Sequence, residues 1–338
     1  MTNILEILEN FKKLNVLIVG DVMIDRYLHG TVNRISPEAP VPIVELQKQE
    51  DRLGGAANVA LNIKALGATP YLYSVVGDDT EGVAFQKLMS EFDLNTEGVI
   101  TSSDRKTTVK TRIMAGTHQM LRVDSENKHD LEEDLEVIFL NKIHNLLIVK
   151  LIHVIIFQDY NKGVLTSKII EGVISEALKH HIPTVVDPKK HHFLDYKQVT
   201  LFKPNLKEIR EAVPFEVKTE LESLQKAANY LHSHLGQKYT MITLSERGLY
   251  FEENTPEGVN DGSRKVPNES KIYPTKTRNI TDVSGAGDTV VSVAALGLAS
   301  ALSINTIATL SNLAGGQVCE TAGVVPVNLE QLAYEFSA

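Results

Sequence analysis

Short apolar runs alternate with longer amphipathic stretches along most of this chain, the pattern of strands connected by helices. Residues 16–19 are continuously apolar and end at Gly20, as a strand buried on both faces would. Similar runs at 71–76, 152–157, 183–186, 199–202 and 239–244 predict further strands. Residues 55–66, 81–92, 131–146, 168–180 and 221–235 have helical periodicity and predict the covering helices. Residues 1–13 read as an amphipathic helix carrying Glu6, Glu9, Lys12 and Lys13. The fold class that follows is α/β: a mostly parallel sheet with helices on both faces and ligands outside the strand C-termini.

Two stretches break the alternation. Residues 27–52 contain Pro37, Pro40 and Pro42 and predict irregular strands that leave the main sheet, while 107–123 alternates with Val109, Thr111 and Ile113 on one face. Together they predict a small β lid. Val41, Ile43, Val44, Val109 and Ile113 would give that lid an apolar face, and an isolated hairpin is only marginally stable, so a homodimer joined lid to lid is expected. Residues 252–277 are polar, with Gly, Asn and Pro, and predict surface strands or a loop.

Composition narrows the function classes. At 338 residues with 43% hydrophobic content, one large α/β domain spanning 1–338 is expected. The net charge is −9 and the pI about 5.7, without a basic stripe, which argues against nucleic-acid or anionic-membrane partners. Cys319 is the only cysteine, so neither an internal disulfide framework nor a thiolate metal site is available. Residues 1–13 do not resemble an export signal, and no apolar run reaches membrane-spanning length. A soluble cytoplasmic protein is expected. His180, His181, His191 and His192 lie in adjacent pairs that cannot share one helix face and read as solvated loop histidines.

The most informative segment is Asp282-Val283-Ser284-Gly285-Ala286-Gly287-Asp288, followed by small and apolar residues to Ala301. Glycines before a helix allow close backbone approach, and the first helical N–H groups then face an anion such as phosphate. Asp288 would repel that anion. It is therefore read either as a first-turn partner of the helix dipole or as a base for a hydroxyl attacking phosphorus.

Gly20-Asp21-Val22-Met23-Ile24-Asp25-Arg26-Tyr27 and Gly54-Gly55-Ala56-Ala57-Asn58 precede this segment in an order that resembles the ribokinase (PfkB) family of carbohydrate kinases, over nearly the whole chain. Within it, residues 33–42, Gln119-Met120-Leu121-Arg122-Val123-Asp124, Asp159-Tyr160-Asn161-Lys162-Gly163, Asp187-Pro188-Lys189 and residues 203–208 look like the heptose 7-phosphate kinase branch, the kinase half of a bifunctional lipopolysaccharide enzyme. Ser284 stands where threonine is usual, and Gln158 where serine is common. Since the chain ends at Ala338, only the kinase half is expected.

The resemblance implies a ribokinase-like fold, ATP and Mg2+, and a monovalent cation such as K+. It makes Asp288 the base and the N–H groups of Gly285, Ala286 and Gly287 the anion hole. Asp25, Gly54, Gly55 and Asn58 match the sugar site, against readings as a surface charge, a turn and a first-turn polar residue. Arg122 and Asp124 would contact substrate from the lid, Arg122 at a distal phosphate, or would form a lid ion pair. Lys162 and Lys189 face the crevice or are solvated. Asn205-Leu206-Lys207-Glu208 would border the nucleotide phosphates, with Asn205 and Glu208 reaching Mg2+ through water, and Asn205 and Glu208 also fit a helix capping box. Ser245 and Gly248 resemble a nucleotide-side turn and Asn312 an adenine-pocket residue. The sugar phosphate expected is D-glycero-D-manno-heptose 7-phosphate. A fructokinase, a 2-keto-3-deoxygluconate kinase or a non-catalytic sugar or nucleotide sensor are the alternatives.

Overall fold

The computed structural model describes residues 4–254 and 270–337. Helix α1 (Ile4–Phe11) precedes β1 (Asn15–Gly20), which lies inside a nine-stranded sheet. In chain order the other strands of that sheet are β4 (Thr69–Gly77), β5 (Val99–Ser102), β8 (Val154–Gln158), β9 (Thr184–Asp187), β10 (Leu201–Phe202), β11 (Tyr239–Thr243), β12 (Leu249–Glu253) and β13 (Ser270–Tyr273). Their spatial order is β13-β12-β11-β10-β9-β8-β1-β4-β5, parallel except for the antiparallel edge formed by β12 and β13. The strand at 99–102 was not predicted. Of 252–277, residues 255–269 lie outside the described residues and the ends belong to β12 and β13.

Strand β1 divides two hydrophobic cores. Val16 and Ile18 join the core covered by α1, α2 (Ala56–Ala65), α3 (Thr80–Glu91), α8 (Ala286–Ala299), α9 (Ile304–Val318) and α10 (Leu329–Ser337). Leu17 and Val19 join the opposite core, under α4 (Glu133–Val149), α5 (Ser167–Lys179), α6 (Leu206–Ala212) and α7 (Leu221–Leu235). All four side chains are fully buried, each contributing about 1.5–3 kcal/mol, so the strand is held from both faces. Helices α9 and α10 were not predicted. Gly315, Gly316 and several Thr and Asn positions weaken the helical signal of α9, which packs closely on α8 where Gly297 meets Ile307.

The region 27–52 leaves the main sheet, as expected, and its strands are long, with two irregularities of register. Strands β2 (Val22–Ile35) and β3 (Pro42–Gly55) pair along almost their whole length, with shifts only at His29/Gly30 and Val32/Arg34. Pro37 and Pro40 fall in the turn and Pro42 begins β3, where missing N–H groups cost the ladder little. Strands β6 (Val109–Ala115) and β7 (His118–Ser125) complete a four-stranded sheet ordered β3-β2-β6-β7. Asp25 therefore lies within this second sheet rather than at a tip of the first.

Period-two alternation gives the second sheet two chemically different faces. Asp25, Lys110 and Asp124 share one rung and Tyr27, Arg112 and Arg122 share the next on the same face. The other face carries Arg26, Thr111 and Val123, then Leu28, Ile113 and Leu121. Val109, expected on an exposed apolar face, is buried in the main core instead.

Candidate active site

Asp288 sits in the first turn of α8, behind Gly285, whose φ of 81° is the left-handed conformation that glycine adopts without strain. The carboxylate is buried. It accepts from Asn58 Nδ2 (2.7 Å), Gln158 Nε2 (2.9 Å) and the Tyr160 hydroxyl (2.7 Å), donors brought by α2, the tip of β8 and the loop after it. Burial pushes its pKa up to about 6, against the lowering by Asn58 and Tyr160. Such a carboxylate can accept a proton near neutral pH. Thr289 N–H bonds back to Gly285 O (3.0 Å), so the N–H groups of Gly287 and Asp288 precede the regular helical bonds; that of Ala286 donates to Val283 O (3.3 Å).

A second buried carboxylate fixes the loop that carries Tyr160. Asp21 accepts the backbone N–H groups of Tyr160 (2.8 Å), Lys162 (3.0 Å) and Val164 (3.1 Å), although burial raises its pKa. Asp159 accepts from the Tyr196 hydroxyl (2.8 Å), and burial with the nearby Asp21 charge pushes it up to about 6. At the tip of β9, Asp187 also resists burial. Lys203 at 3.0 Å and Lys189 at 3.8 Å keep its pKa below the usual value. A Cβ on Gly287 would lie 3.6 Å from Asp187 Oδ2 and 3.8 Å from Lys203 Nζ, so these charges adjoin the glycine turn.

The residues expected at the sugar site do converge. Gly54 and Gly55 end β3, and a side chain on Gly54 would collide with the Asp25 carboxylate. Gly55, at φ 62°, starts α2, one turn of which presents Asn58 to Asp288. Asp25 is paired with Arg112, and Arg112 and Arg52 lie 5.2 and 5.0 Å from the centroid of the Tyr27 ring on this face. Lys110 lies 5.1 Å from the centroid of the Tyr160 ring.

Several expected contacts are closed by internal pairing. Arg122 forks onto Asp124 (2.9 and 3.0 Å), the lid ion pair of the two readings. Lys162 pairs with Glu126 at 2.7 Å, and Lys189 pairs with Glu208, so neither is solvated. Asn205 and Glu208 form the complete capping box: Asn205 N–H donates to Glu208 Oε2 (2.8 Å) and Glu208 N–H to Asn205 Oδ1 (2.9 Å). Leu206 and Lys207 begin α6, with Lys207 exposed near Glu211. Ser245 and Gly248 bound a tight turn between β11 and β12; Gly248 has φ 96° and lies against Tyr273 O. Asn312 Nδ2 donates to the backbone oxygens of Pro274 (2.8 Å) and Tyr273 (3.2 Å).

Gln158, Tyr160, Asp187 and Lys203 were not singled out as functional groups, although their segments were. Their roles depend on side chains meeting across strand tips, and only the polar residues directly after apolar runs hinted at it. Gln158 links Asp288 to Asp187 (3.3 Å), while its Oε1 is buried without a hydrogen-bond partner. His192 departs from the solvated reading: it is nine-tenths buried.

Comparison with known proteins agrees with this geometry. Residues 13–331 match the sequence pattern described as pfkB family carbohydrate kinase. The chain is 36% identical over 323 residues to the "Bifunctional protein HldE" of Campylobacter curvus, covering 95% of this chain and 64% of that protein. To the protein of the same name from Campylobacter jejuni it is 39% identical over 324 residues, covering 95% and 64%. The chain thus spans under two thirds of the length of these relatives. Phosphofructokinase-2 from Escherichia coli in complex with potassium has a similar fold, with a TM-score of 0.77 at 18% identity, covering 96% of this chain and 99% of that one. Arabidopsis thaliana ribokinase complexed with ribose and ATP has a TM-score of 0.68 at 15% identity, covering 95% and 98%.

Proposed function

Because the chain belongs to the pfkB family of carbohydrate kinases, we propose that it transfers the γ-phosphoryl group of ATP to the anomeric hydroxyl of D-glycero-D-manno-heptose 7-phosphate, giving the 1,7-bisphosphate. As a family member it is an ATP-dependent sugar kinase; the choice of sugar is the proposal. The observation that carries the chemistry is the buried Asp288 carboxylate, held by Asn58, Gln158 and Tyr160 directly behind the glycine turn. The likeness to the relatives over 95% of the chain supports the heptose phosphate.

Phosphoryl transfer rests on positioning and electrostatics. Asp288 accepts the hydroxyl proton as the oxygen attacks phosphorus. The amides at the start of α8, with Lys203 and Lys189 nearby, face the phosphate charge. A sugar hydroxyl or water can satisfy Gln158 Oε1. Magnesium fits only through water: Glu208 already accepts from Asn205 N–H and Lys189, yet its carboxylate retains lone pairs for metal-bound water. When bound, the ion neutralises phosphate oxygens. The family resemblance adds a monovalent cation such as K+.

The polar lid face supplies cations for the distal phosphate, with Lys110, Arg112 and Arg122 on adjacent rungs. The opposite face exposes Leu46 (58%), Leu121 (56%) and Val123 (49%), which supports a homodimer joined through the lids. Among the described residues no helix is long and apolar enough to cross a membrane. A cytoplasmic location belongs to this same reading.

Asp288→Asn is expected to lower turnover by roughly two to four orders of magnitude with ATP binding retained; near-normal turnover would remove the base assignment. The base must be ionised, so activity rises with pH through about 6. Tyr160→Phe deletes a donor to the charged form and should move that acid limb upward. Substrate phosphates titrate alike in both enzymes, so an unmoved limb in the variant counts against the assignment.

Heptose 7-phosphate should show the highest kcat/KM among heptose 7-phosphate, fructose, ribose and ketodeoxygluconate. Arg122→Ala and Lys110→Ala should impair the phosphorylated sugar about tenfold more than the others. A wild type that prefers an unphosphorylated sugar moves the chain to the fructokinase or ketodeoxygluconate branch. Glu208→Gln should raise the magnesium requirement more than the sugar KM; an unchanged magnesium titration leaves Glu208 as a helix cap alone. Light scattering at micromolar concentration should give a dimer, and a monomer refutes the lid interface.

A further inference from the structure

A second cluster of polar side chains lies where the segment following β7 meets the turn following β9. Asp130 comes from the first segment, and His191 and His192 from the second. The two histidines occupy a turn rather than a helix, so adjacent rings can approach one point; their centroids are 4.4 Å apart at 74°. The ligand atoms of Asp130, His191 and His192 all lie within 4.8 Å of one another.

We propose that these three residues form a transition-metal site, best suited to Zn2+. The orientation of His192 carries the inference. Its Nδ1 lies 2.7 Å from Asp195 Oδ2, and the Ser167 hydroxyl donates to the same oxygen at 2.7 Å. A carboxylate can only accept, so Nδ1 carries the proton, and in the neutral ring Nε2 presents its lone pair. That Nε2 is buried, has no hydrogen-bond partner, and lies 3.6 Å from Asp130 Oδ1. A carboxylate–imidazole pair with the second nitrogen directed at further ligands is the arrangement that orients metal-bound histidine.

The geometry is close to what the metal requires. Ligands about 2.0–2.2 Å from a tetrahedral zinc stand roughly 3.4 Å apart, so Asp130 and His192 already fit, and the ligand atom of exposed His191 lies within 4.8 Å of both. Two imidazoles and one carboxylate favour zinc over magnesium, which prefers oxygen, and leave one position open to solvent. The ion would join the return from the lid to the turn that carries Lys189 and Tyr196. The site stands on this geometry whatever the sugar.

The test uses the full chain after chelator treatment, without nucleotide or magnesium. Wild type should bind one equivalent of Zn2+, and Co2+ should give the visible absorption of a tetrahedral centre. His191→Ala and Asp130→Asn alter exposed side chains and should each weaken Zn2+ binding at least about tenfold, and Asp195→Asn about 10–100-fold. Zn2+ should raise the melting temperature of wild type more than that of these variants. His192→Ala removes a buried ring and could unfold the turn, so the exposed-ligand variants decide. No Zn2+ binding by wild type, as an imidazolium bridging Asp130 and Asp195 would give, or binding that all three variants retain, overturns the site.

Discussion

A carboxylate taken out of water keeps its charge only if other groups replace the lost hydration. Asp288 is placed under that constraint, and the architecture of the site follows from it. The donors that replace water come from α2 and from the tip of β8 with the loop directly after it, so two distant parts of the chain must be in register with α8 before the carboxylate is tolerable. Asp21 extends the same logic by one layer, since its three backbone partners fix the loop that carries Tyr160. Burial raises the pKa of Asp288 and the donors restrain that rise, leaving a group that can both hold and release a proton near neutrality.

Charge compensation continues from there across the strand tips. Asp187 is balanced by Lys203 and Lys189, and Lys189 is shared with Glu208. Glu208 also completes the capping box of α6, so the structural and functional readings of that residue are not rivals. One carboxylate oxygen orders the helix start and the other fixes Lys189 beside Asp187.

The four-stranded sheet solves a different problem. A strand has two faces, and here alternate residues put Asp25, Lys110, Arg112, Arg122 and Asp124 on one face and Leu28, Ile113, Leu121 and Val123, with Arg26, on the other. Most of the charges on the first face are paired: Arg112 with Asp25 and Arg122 with Asp124. Buried or half-buried guanidinium groups need such partners, and an arriving anion competes with the pairs rather than meeting free cations.

The alternation of apolar runs with amphipathic stretches was sufficient for the main sheet and most of its helices, because burial on two faces leaves a direct mark on residue order. The glycine turn, Asp288 and the segments that bring Asp25, Gly54, Gly55 and Asn58 together were legible for a similar reason: a left-handed glycine before a helix and polar residues at strand ends are local features. The length of the β2–β3 hairpin was obscured by prolines whose harmless position, in the turn or at the start of β3, depends on strand register. Helix α9 depends on packing more than on propensity, because Gly315, Gly316 and its Thr and Asn positions are weak helix formers. Tertiary structure alone decided that Gln158 and Tyr160 would meet Asp288, that Lys189 would be shared between Asp187 and Glu208, and that His192 would be buried beside Asp130. The Asp288 and His192 contacts join side chains far apart in the chain, and a sequence records the residues but not the distance between them.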